Sequence, residues 1–342
     1  MPAVEPTVES TTADARTPFA ELTLAEDPHG LTGGSTARLE DAAIEPVAQR
    51  PAQALPSRFA SVEHTGPREL EITDTSRVVA LDLSGSIAAT IWGLGFGPTL
   101  IGRDQSTTFP GAADLPVVTS GGHSVNAESL IALRPTLVIT DGTVGPRDVI
   151  EQLRDVGIEV IFVANDPSFT GAEQLARDVA AIYGAPEPGE LLATRIRSEV
   201  ETTAAEIADI APEPGLRMMF LYLRGGSGIY YLFGEESGAD DLIDALGGID
   251  VAGELGWKGM QPLSDEAIVA ADPQLILVMT NGLESVGGVS GLIDQVPAIG
   301  LTAAGRSGRF VDMADGQILS FGPRSAAVLD ALARAIYAPD AG

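Results

Sequence analysis

The chain has 342 residues, 44% of them hydrophobic, no cysteine and a formal net charge of −28. Its length predicts two domains rather than one core, and the missing cysteine excludes disulfides, thiolate catalysis and cysteine-held metal clusters. The acidic charge argues against a nucleic-acid partner, because a phosphate backbone binds to a basic face.

Residues 1–70 differ in composition from the rest of the chain. They are rich in Ala, Thr, Pro and Glu, lack Trp and Tyr, and show little apolar periodicity. This composition is typical of a disordered segment. We therefore expect residues 1–70 to be a disordered tether and the folded core to begin near Arg77. The first residues have neither a basic nor an apolar leader region, so no signal peptide is predicted in the sequence as given.

Residues 71–187 alternate between short apolar runs and segments of helical periodicity. The predicted strands are RVVALDL, TLIGRD, LPVVTSG, TLVITD and EVIFVAND, and the predicted helices are SGSIAATIWGLG, NAESLIALRP, PRDVIEQLRDVG and GAEQLARDVAAIYG. Strands alternating with helices predict βαβ units and a largely parallel sheet. This region is therefore predicted to be an N-terminal α/β lobe.

A long helix and a second α/β pattern complete the chain. The helix is predicted over 188–211, and the C-terminal lobe over 212–342. The two halves echo each other, since NAESLIALRPTLVIT and SDEAIVAADPQLILVM both place an acidic residue near the start of a helix that leads through proline into a strand. The predicted fold is thus two α/β lobes, each with a central, mostly parallel sheet, joined by one long α-helix. No apolar run approaches the roughly 18 residues of a membrane-spanning helix.

Tyr222 and Arg224 end the apolar run MMFLYLRGG, where the alternation of a strand points both side chains to one face. A phenolate is a competent ligand for ferric iron, and a neighbouring guanidinium favours the ionised phenol. His123 lies in the loop TSGGHSVN of the other lobe. Each feature alone is more typical of a surface histidine, or of a tyrosine at a strand end beside an arginine that pairs with a surface carboxylate, than of a ligand site. Together they predict a metal held from two sides.

Motifs for common enzyme chemistry are missing. The sequence has no GxGxxG after its first strand, no GxxxxGK[ST] and no GxSxG, which argues against dinucleotide binding, a P-loop and a serine hydrolase. These absences leave other enzyme reactions open.

From about Arg77 to Pro339 the sequence resembles ABC-transporter substrate-binding proteins with two α/β lobes bridged by a single helix, the class III periplasmic-binding-protein-like fold. The segments RVVALDLSGSIAATIWGLG, NAESLIALRPTLVIT, SGADDLIDALGG and SDEAIVAADPQLILV carry this likeness. Within that class, GRDQSTTFP, GGHSVNAES and LYLRGG resemble the HmuT-type haem-binding lipoproteins of actinobacteria. The resemblance implies a binding protein, not an enzyme, that delivers haem b, its transported ligand, to an ABC importer.

The resemblance also implies roles for individual residues. His123 and Tyr222 would coordinate the haem iron from opposite lobes, with Arg224 supporting the tyrosine. Further pocket positions are implied at Met279 and at Met260, where such relatives are expected to carry an aromatic residue. Arg103 is predicted to contribute on a separate ground, because a local positive charge in so acidic a protein suits an anionic ligand.

Partners and location follow from the same resemblance. Glu128 and Glu266 match positions that dock onto the permease, although an acid at a helix start also opposes the helix dipole without any partner. We expect a monomeric, extracytoplasmic lipoprotein whose signal and anchor cysteine have been removed, with an ABC permease and ATPase as partners and haem-binding surface proteins upstream.

Two alternatives stay open from the sequence. The first keeps the fold and replaces haem by a ferric siderophore or cobalamin. The second is a two-lobed α/β enzyme with its site in the cleft; the missing cysteine excludes cluster chemistry in such an enzyme, but not every reaction.

Overall fold

The chain folds into two α/β lobes with mostly parallel sheets, and one long helix joins them. The computed structural model describes residues 17–121 and 123–339. The predicted two-lobe α/β architecture is confirmed. None of the helices in these ranges is long and apolar enough to cross a membrane.

Residues 17–72 form an ordered segment, here called the N-terminal strap. Strand β1 (Ser35–Ala37) runs parallel to β15 (Phe310–Met313) at the edge of the C-terminal sheet. Strands β2 (Ser57–Glu63) and β3 (Gly66–Ile72) form an antiparallel hairpin against the N-terminal lobe. The prediction of a disordered tether over residues 1–70 is therefore wrong for residues 17–70; residues 1–16 lie outside the described ranges. The composition of the strap did not reveal its order, because the strap has no core of its own. It is ordered by pairing with the edge of a sheet and by packing on apolar surfaces of both lobes.

The strap crosses from the C-terminal to the N-terminal lobe. The Val47 N–H donates to the Gly93 carbonyl at 2.8 Å, and Trp92 Nε1 donates to the Ile44 carbonyl at 3.1 Å. Further along, the Ala54 N–H donates to the Gly184 carbonyl at 2.9 Å. The strap is therefore a second connection between the lobes besides the long helix.

The N-terminal lobe is built on a four-stranded, fully parallel sheet with the order β5-β4-β8-β9. Strands β4 and β8 read VVAL and LVIT and are buried along their whole length, as expected for a parallel sheet covered on both faces. The strands are β4 (Val78–Leu81), β5 (Leu100–Arg103), β6 (Thr119–Ser120), β7 (Ser124–Val125), β8 (Leu137–Thr140) and β9 (Glu159–Phe162). The helices are α1 (Ser86–Gly93), α2 (Ala127–Ala132), α3 (Arg147–Asp155) and α4 (Phe169–Ile182).

Helix α5 (Pro186–Ala208) connects the lobes. It begins two residues before the predicted range of 188–211 and ends three residues before its end. Its 23 residues pack against α4 of the first lobe and against the C-terminal helix of the second. Buried side chains such as Leu192 and Ile196 make it part of a core shared by both lobes.

The C-terminal lobe has a mixed seven-stranded sheet. Its main path is β1-β15-β14-β10-β11-β13, with β12 paired to β10; β11 and β13 are antiparallel to their neighbours, and the other pairs are parallel. The remaining strands are β10 (Arg217–Arg224), β11 (Ile229–Phe233), β12 (Ile249–Asp250), β13 (Met260–Pro262) and β14 (Leu275–Met279). The helices are α6 (Ala239–Ala245), α7 (Val251–Glu254), α8 (Asp265–Ala271), α9 (Thr280–Ser285), α10 (Gly288–Gln295), α11 (Ala303–Ser307), α12 (Asp315–Ile318) and α13 (Ser325–Tyr337).

Candidate functional site

Tyr222 and Arg224 lie on one face of β10 at its carboxyl end. Arg224 Nε donates a hydrogen bond to the phenol oxygen of Tyr222, and the Tyr222 ring stacks on Phe233 of β11 with ring centroids 5.9 Å apart. The alternate residues Leu221 and Leu223 are buried on the opposite face. The strand therefore fixes the phenol and the guanidinium side by side, each half-buried.

His123 lies in the tight connection between β6 and β7, with a positive φ of 59°. That left-handed backbone is uncommon for a residue with a side chain. The loop is held to the lobe through the carbonyl of His123, which accepts from the Gly145 N–H at 3.3 Å. The imidazole is half-buried, and its Nδ1 has no hydrogen-bond partner among the described residues.

The structure brings the histidine of one lobe to the tyrosine and arginine of the other. Arg224 Nη2 lies 3.1 Å from His123 Nε2. A guanidinium is only a donor, so Nε2 accepts and a neutral His123 carries its proton on Nδ1. Burial, together with the positive charge of Arg224, lowers the pKa of His123, while the carboxylate of Asp315 acts in the opposite direction. The neutral imidazole is the form that binds metals.

The lobes approach each other closely beside this cluster. A Cβ at Gly316 of α12 would lie 2.5 Å from the backbone oxygen of Ser106 in the N-terminal lobe, and also close to Thr108. Only glycine fits this approach without a shift of the backbone. The residue before it, Asp315, is the acid that influences His123. The turn at residues 315–316 therefore lies at the contact between the lobes, and the charge of Asp315 reaches the imidazole electrostatically.

The other predicted pocket residues lie in different surroundings. Met279 ends β14, is half-buried and packs against the main core. Met260 lies on the edge strand β13 and is 61% exposed. Arg103 is half-buried, and its Nη1 donates to the Thr107 carbonyl at 2.9 Å. Arg103 thus holds the loop that follows its own strand, and the structure records no contact between it and His123, Tyr222 or Arg224.

Glu128 and Glu266 occupy matching positions on the surface. Both are exposed and stand in the first turn of a short helix, α2 and α8 respectively. The helix of Glu128 is capped by the side chain of Asn126, and that of Glu266 by the side chain of Ser264. Each lobe therefore has a short helix that is capped by a side chain and has an exposed acid in its first turn, as the similar sequences of the two segments indicate.

Three aspartates at the carboxyl ends of neighbouring strands, two of them buried and Asp141 half-buried, form an acidic cluster that our sequence interpretation missed. Asp82, Asp104 and Asp141 directly follow β4, β5 and β8. The Asp104 carboxylate accepts from the Asp82 N–H at 2.9 Å and from the Thr107 N–H at 2.8 Å. A signal was present, because RVVALD, TLIGRD and TLVITD each end in aspartate.

The charge of this acidic cluster is reduced near neutral pH. Burial, together with the negative charge of Asp82, raises the pKa of Asp104 to about 7 and likewise that of Asp141 to about 7. Burial also raises the pKa of Asp82, against the hydrogen bonds from Ser84, Ser86 and Ile87. Interacting carboxyl groups of this kind titrate together rather than singly. The N-terminal lobe therefore carries protonatable carboxyl groups at the carboxyl ends of its sheet strands.

Comparison with known proteins places the chain among binding proteins. A family model described as periplasmic binding protein matches residues 78–315. A cobalamin-binding protein of Halobacterium salinarum is 26% identical over 268 residues, which are 78% of this chain and 70% of that protein.

Solved structures give more extensive matches. The crystal structure of haem-binding protein HmuT is 38% identical, with a TM-score of 0.85, and the match covers 91% of this chain and 99% of that one. The periplasmic haem-binding protein RhuT from Roseiflexus sp. RS-1, in its apo form, is 35% identical with a TM-score of 0.68 and covers 78% and 99%. HmuT has also been solved with a histidine, a tyrosine or an arginine replaced by alanine. These three residues have the same order and spacing in HmuT as His123, Tyr222 and Arg224 have here.

Proposed function

The chain belongs to the periplasmic binding protein family, as an ABC-transporter substrate-binding protein of the HmuT type, and we propose that its ligand is haem. The matched family and structures are binding proteins, and the prediction that the protein is not an enzyme is confirmed on that basis. In the proposed function, haem b is held between the lobes and delivered to an ABC importer.

The observation that carries the proposal is the convergence of His123 and Tyr222 across the two lobes, with Arg224 touching both. The histidine offers a neutral nitrogen and the tyrosine offers a phenol oxygen, which are two known donors to haem iron. A flat porphyrin leaves two axial positions open, one on each face. One donor from each lobe matches that requirement.

Arg224 has a role in each state of the proposed cycle. The Nε2 lone pair that accepts from Arg224 Nη2 is also the pair that would bind iron. Ligand entry therefore exchanges that hydrogen bond for a bond to the metal. The second donor, Nε, keeps its hydrogen bond to the phenol oxygen, and a charge-assisted hydrogen bond of this type stabilises a phenolate.

Haem is supported as the ligand because similar solved structures are of proteins named as haem-binding. The three HmuT variants also replace residues whose spacing equals that of His123, Tyr222 and Arg224. Cobalamin is the second candidate, because curated relatives are named for it. Cobalamin carries its own axial base, so it does not need two protein donors. A ferric siderophore, whose iron is already chelated, needs them even less.

We further propose the setting in which the protein works. Members of this family act outside the cytoplasm. In our proposal a lipid anchor precedes the described residues, the chain acts as a monomer, and it receives haem from surface proteins. Glu128 and Glu266, one exposed acid on each lobe, would dock onto basic residues of the permease.

The test is an absorbance titration of the apoprotein with hemin, using wild type, His123→Ala and Tyr222→Ala. We expect saturation at one haem per chain, with each substitution altering the Soret or charge-transfer bands. Matched controls are His64→Ala and Tyr230→Phe, which change an exposed histidine and a tyrosine bonded to Gln295. A parallel titration with cyanocobalamin identifies the rival ligand. Wild-type protein that saturates with cobalamin and not with hemin would refute the proposal.

A further inference from the structure

Arg324 is a buried arginine at the contact between the lobes. It immediately precedes α13 and is 4% exposed. Its guanidinium carbon lies 5.9 Å from the ring centroid of Phe109, in the N-terminal lobe. Pro323, next to it, packs closely against Gly93 of the same lobe. The side chain therefore belongs to the interface between the lobes and not to the interior of either.

The guanidinium of Arg324 is poorly satisfied. Its one hydrogen bond is from Nη2 to the Gly316 carbonyl, at 3.3 Å. Nε and Nη1 have no partner among the described residues, and no carboxylate of those residues forms an ion pair with it. Burial lowers the pKa of Arg324 to about 10, which still leaves it charged at neutral pH. A buried charge without a counter-charge is strongly unfavourable.

Arg309 shows how this chain satisfies a buried arginine that has a structural role. It is 3% exposed, and its two Nη atoms donate to four acceptors, while its Nε has no partner among the described residues. These acceptors are the Gly33 carbonyl at 3.3 Å, Ser35 Oγ at 3.0 Å, the Ala335 carbonyl at 3.0 Å and the Ile336 carbonyl at 2.7 Å. Equal burial thus comes with very different hydrogen bonding. Among the described residues, Arg309 leaves only Nε without a partner, whereas Arg324 leaves both Nε and Nη1 for another acceptor.

The position of Arg324 connects it to the proposed haem site. The Gly316 carbonyl that accepts from Arg324 is adjacent in sequence to Asp315, whose charge acts on His123. The residues around Arg324 also include the close lobe contact between Gly316 and Ser106. A distance of 5.9 Å to Phe109 is near the outer limit of a cation–π contact, so this stacking is easily exchanged.

We propose that Arg324 is the counter-charge for a carboxylate of the bound ligand, namely a propionate of haem; this inference rests on the proposed function. The planar guanidinium suits a carboxylate better than any other side-chain cation does. A carboxylate entering between the lobes accepts from the free Nε and Nη1 groups and neutralises the buried charge. Arg224 then serves the iron ligand while Arg324 serves the propionate.

The experiment compares hemin with hemin dimethyl ester, in which both propionates are neutral, on wild type, Arg324→Met and Arg324→Lys. We expect wild type to bind hemin about 10- to 100-fold more tightly than the ester, the range of a hydrogen-bonded charge. Arg324→Met should lose most of this preference, with its affinity for the ester unchanged. Arg324→Lys should retain part of it. Loss of affinity for both ligands by the same factor would overturn the inference.

Apoprotein stability separates a binding role from a structural one. Removal of an unsatisfied buried charge should leave the melting temperature of Arg324→Met equal to or above that of wild type. A variant that melts lower or does not fold makes Arg324 structural and refutes the proposal. Inorganic phosphate tests for a site that takes any anion. If phosphate stabilises wild type while the preference for hemin over the ester survives in Arg324→Met, the propionate assignment fails.

The test also distinguishes the two proposals. Wild-type protein that shows no saturable hemin binding refutes the proposed function and this inference together. Wild-type protein that saturates with hemin, but whose preference over the ester does not depend on Arg324, refutes this inference alone.

Discussion

Two regions of the C-terminal lobe each contain a buried arginine, and they differ in how the guanidinium is used. At the rear of the lobe, Arg309 ties the strap to the end of α13 through four hydrogen bonds. At the lobe interface, the guanidinium of Arg324 makes one long hydrogen bond within the described part of the chain, and two of its nitrogens have no partner there. Burial alone therefore does not separate architecture from function. The hydrogen bonds that are made, and those that are not, do separate them.

The same contrast extends to the groups around each arginine. The rear region is closed by strand pairing between β1 and β15 and by main-chain acceptors. The interface region contains a histidine, a tyrosine and two arginines, with close contacts between the lobes at Gly316. In the rear region, the guanidinium of Arg309 makes four hydrogen bonds, and only its Nε lacks a partner among the described residues. At the proposed ligand site, the guanidinium of Arg324 makes one hydrogen bond, so two of its nitrogens are available to a ligand.

The largest effect on stability is expected from Arg309→Met. The substitution leaves buried carbonyls at residues 335 and 336 without a donor and frees β1, so it should lower the free energy of unfolding by about 3–5 kcal/mol. Urea denaturation monitored by circular dichroism measures this. Arg324→Met is the matched control, with the same change in side chain at similar burial, and should lose no stability. If both variants lost the same amount, the contrast between the two regions would be an error.

Local sequence patterns predicted most of the fold, but they could not reveal the strap. The apolar runs of β4, β8, β10 and β14 and the periodicity of α5 specify their own structures. Strand β1 reads Ser-Thr-Ala, which carries no strand signal. It forms because the edge of β15 and the side chain of Arg309, both more than 270 residues away, supply its partners. Such long-range pairing is invisible in a local window.

The candidate site, like the fold, was predictable from the sequence only in part. His123, Tyr222 and Arg224 were identified through a resemblance of motifs, and the structure places them in contact. Arg324 was not identified, because an arginine after Pro323 at a helix start has the pattern of an exposed residue. Its burial depends on Phe109 in the other lobe.

The next largest effect on stability is expected from Asp141→Asn in the acidic cluster, and it should depend on pH. The pKa values of Asp104 and Asp141 are raised from 3.8 to about 7 in the folded protein, so the folded state binds these protons more tightly than the unfolded state. Their contribution to stability is fully present below about pH 4 and is lost as the pH rises through about 7. Asp141→Asn removes one of the repelling charges and retains an oxygen for Thr143.

The measurement is urea denaturation of wild type and Asp141→Asn at pH 5, 6, 7 and 8. The variant should gain about 2 kcal/mol relative to wild type between pH 5 and pH 8, since one pKa unit corresponds to about 1.4 kcal/mol. Asp74→Asn, at an exposed acid whose pKa is lowered by Ser76, is the control and should show no such gain. Parallel curves for wild type and Asp141→Asn would mean that the cluster does not titrate in this range.

A smaller effect on stability is expected from Tyr222→Phe. Its hydroxyl is only half-buried and accepts one hydrogen bond, from Arg224, so the apoprotein should lose no more than about 1 kcal/mol. The hemin spectrum should change nonetheless, because the substitution removes the proposed iron donor. Tyr337→Phe is the converse control. It removes a buried hydroxyl that donates to the Leu246 carbonyl at 2.6 Å, and should lower stability by about 1–2 kcal/mol without altering the hemin spectrum. A normal spectrum for Tyr222→Phe would remove the tyrosine from the iron site.

The smallest effect on stability is expected from Glu128→Gln and Glu266→Gln, which change two exposed acids at helix starts. A charge at such a position contributes about 0.3–1 kcal/mol through the helix dipole, and the capping residues Asn126 and Ser264 are untouched. Each variant should therefore lie within about 0.5 kcal/mol of wild type and bind hemin normally. Haem uptake by cells that express the protein with its permease should nevertheless fall several-fold in the double variant, because the proposed docking uses one acid on each lobe. Glu201→Gln, at an exposed acid on α5, should leave uptake unchanged. Normal uptake by the double variant would assign both acids to the helix dipole alone and leave the lobe interface as the functional surface for which the structure gives evidence.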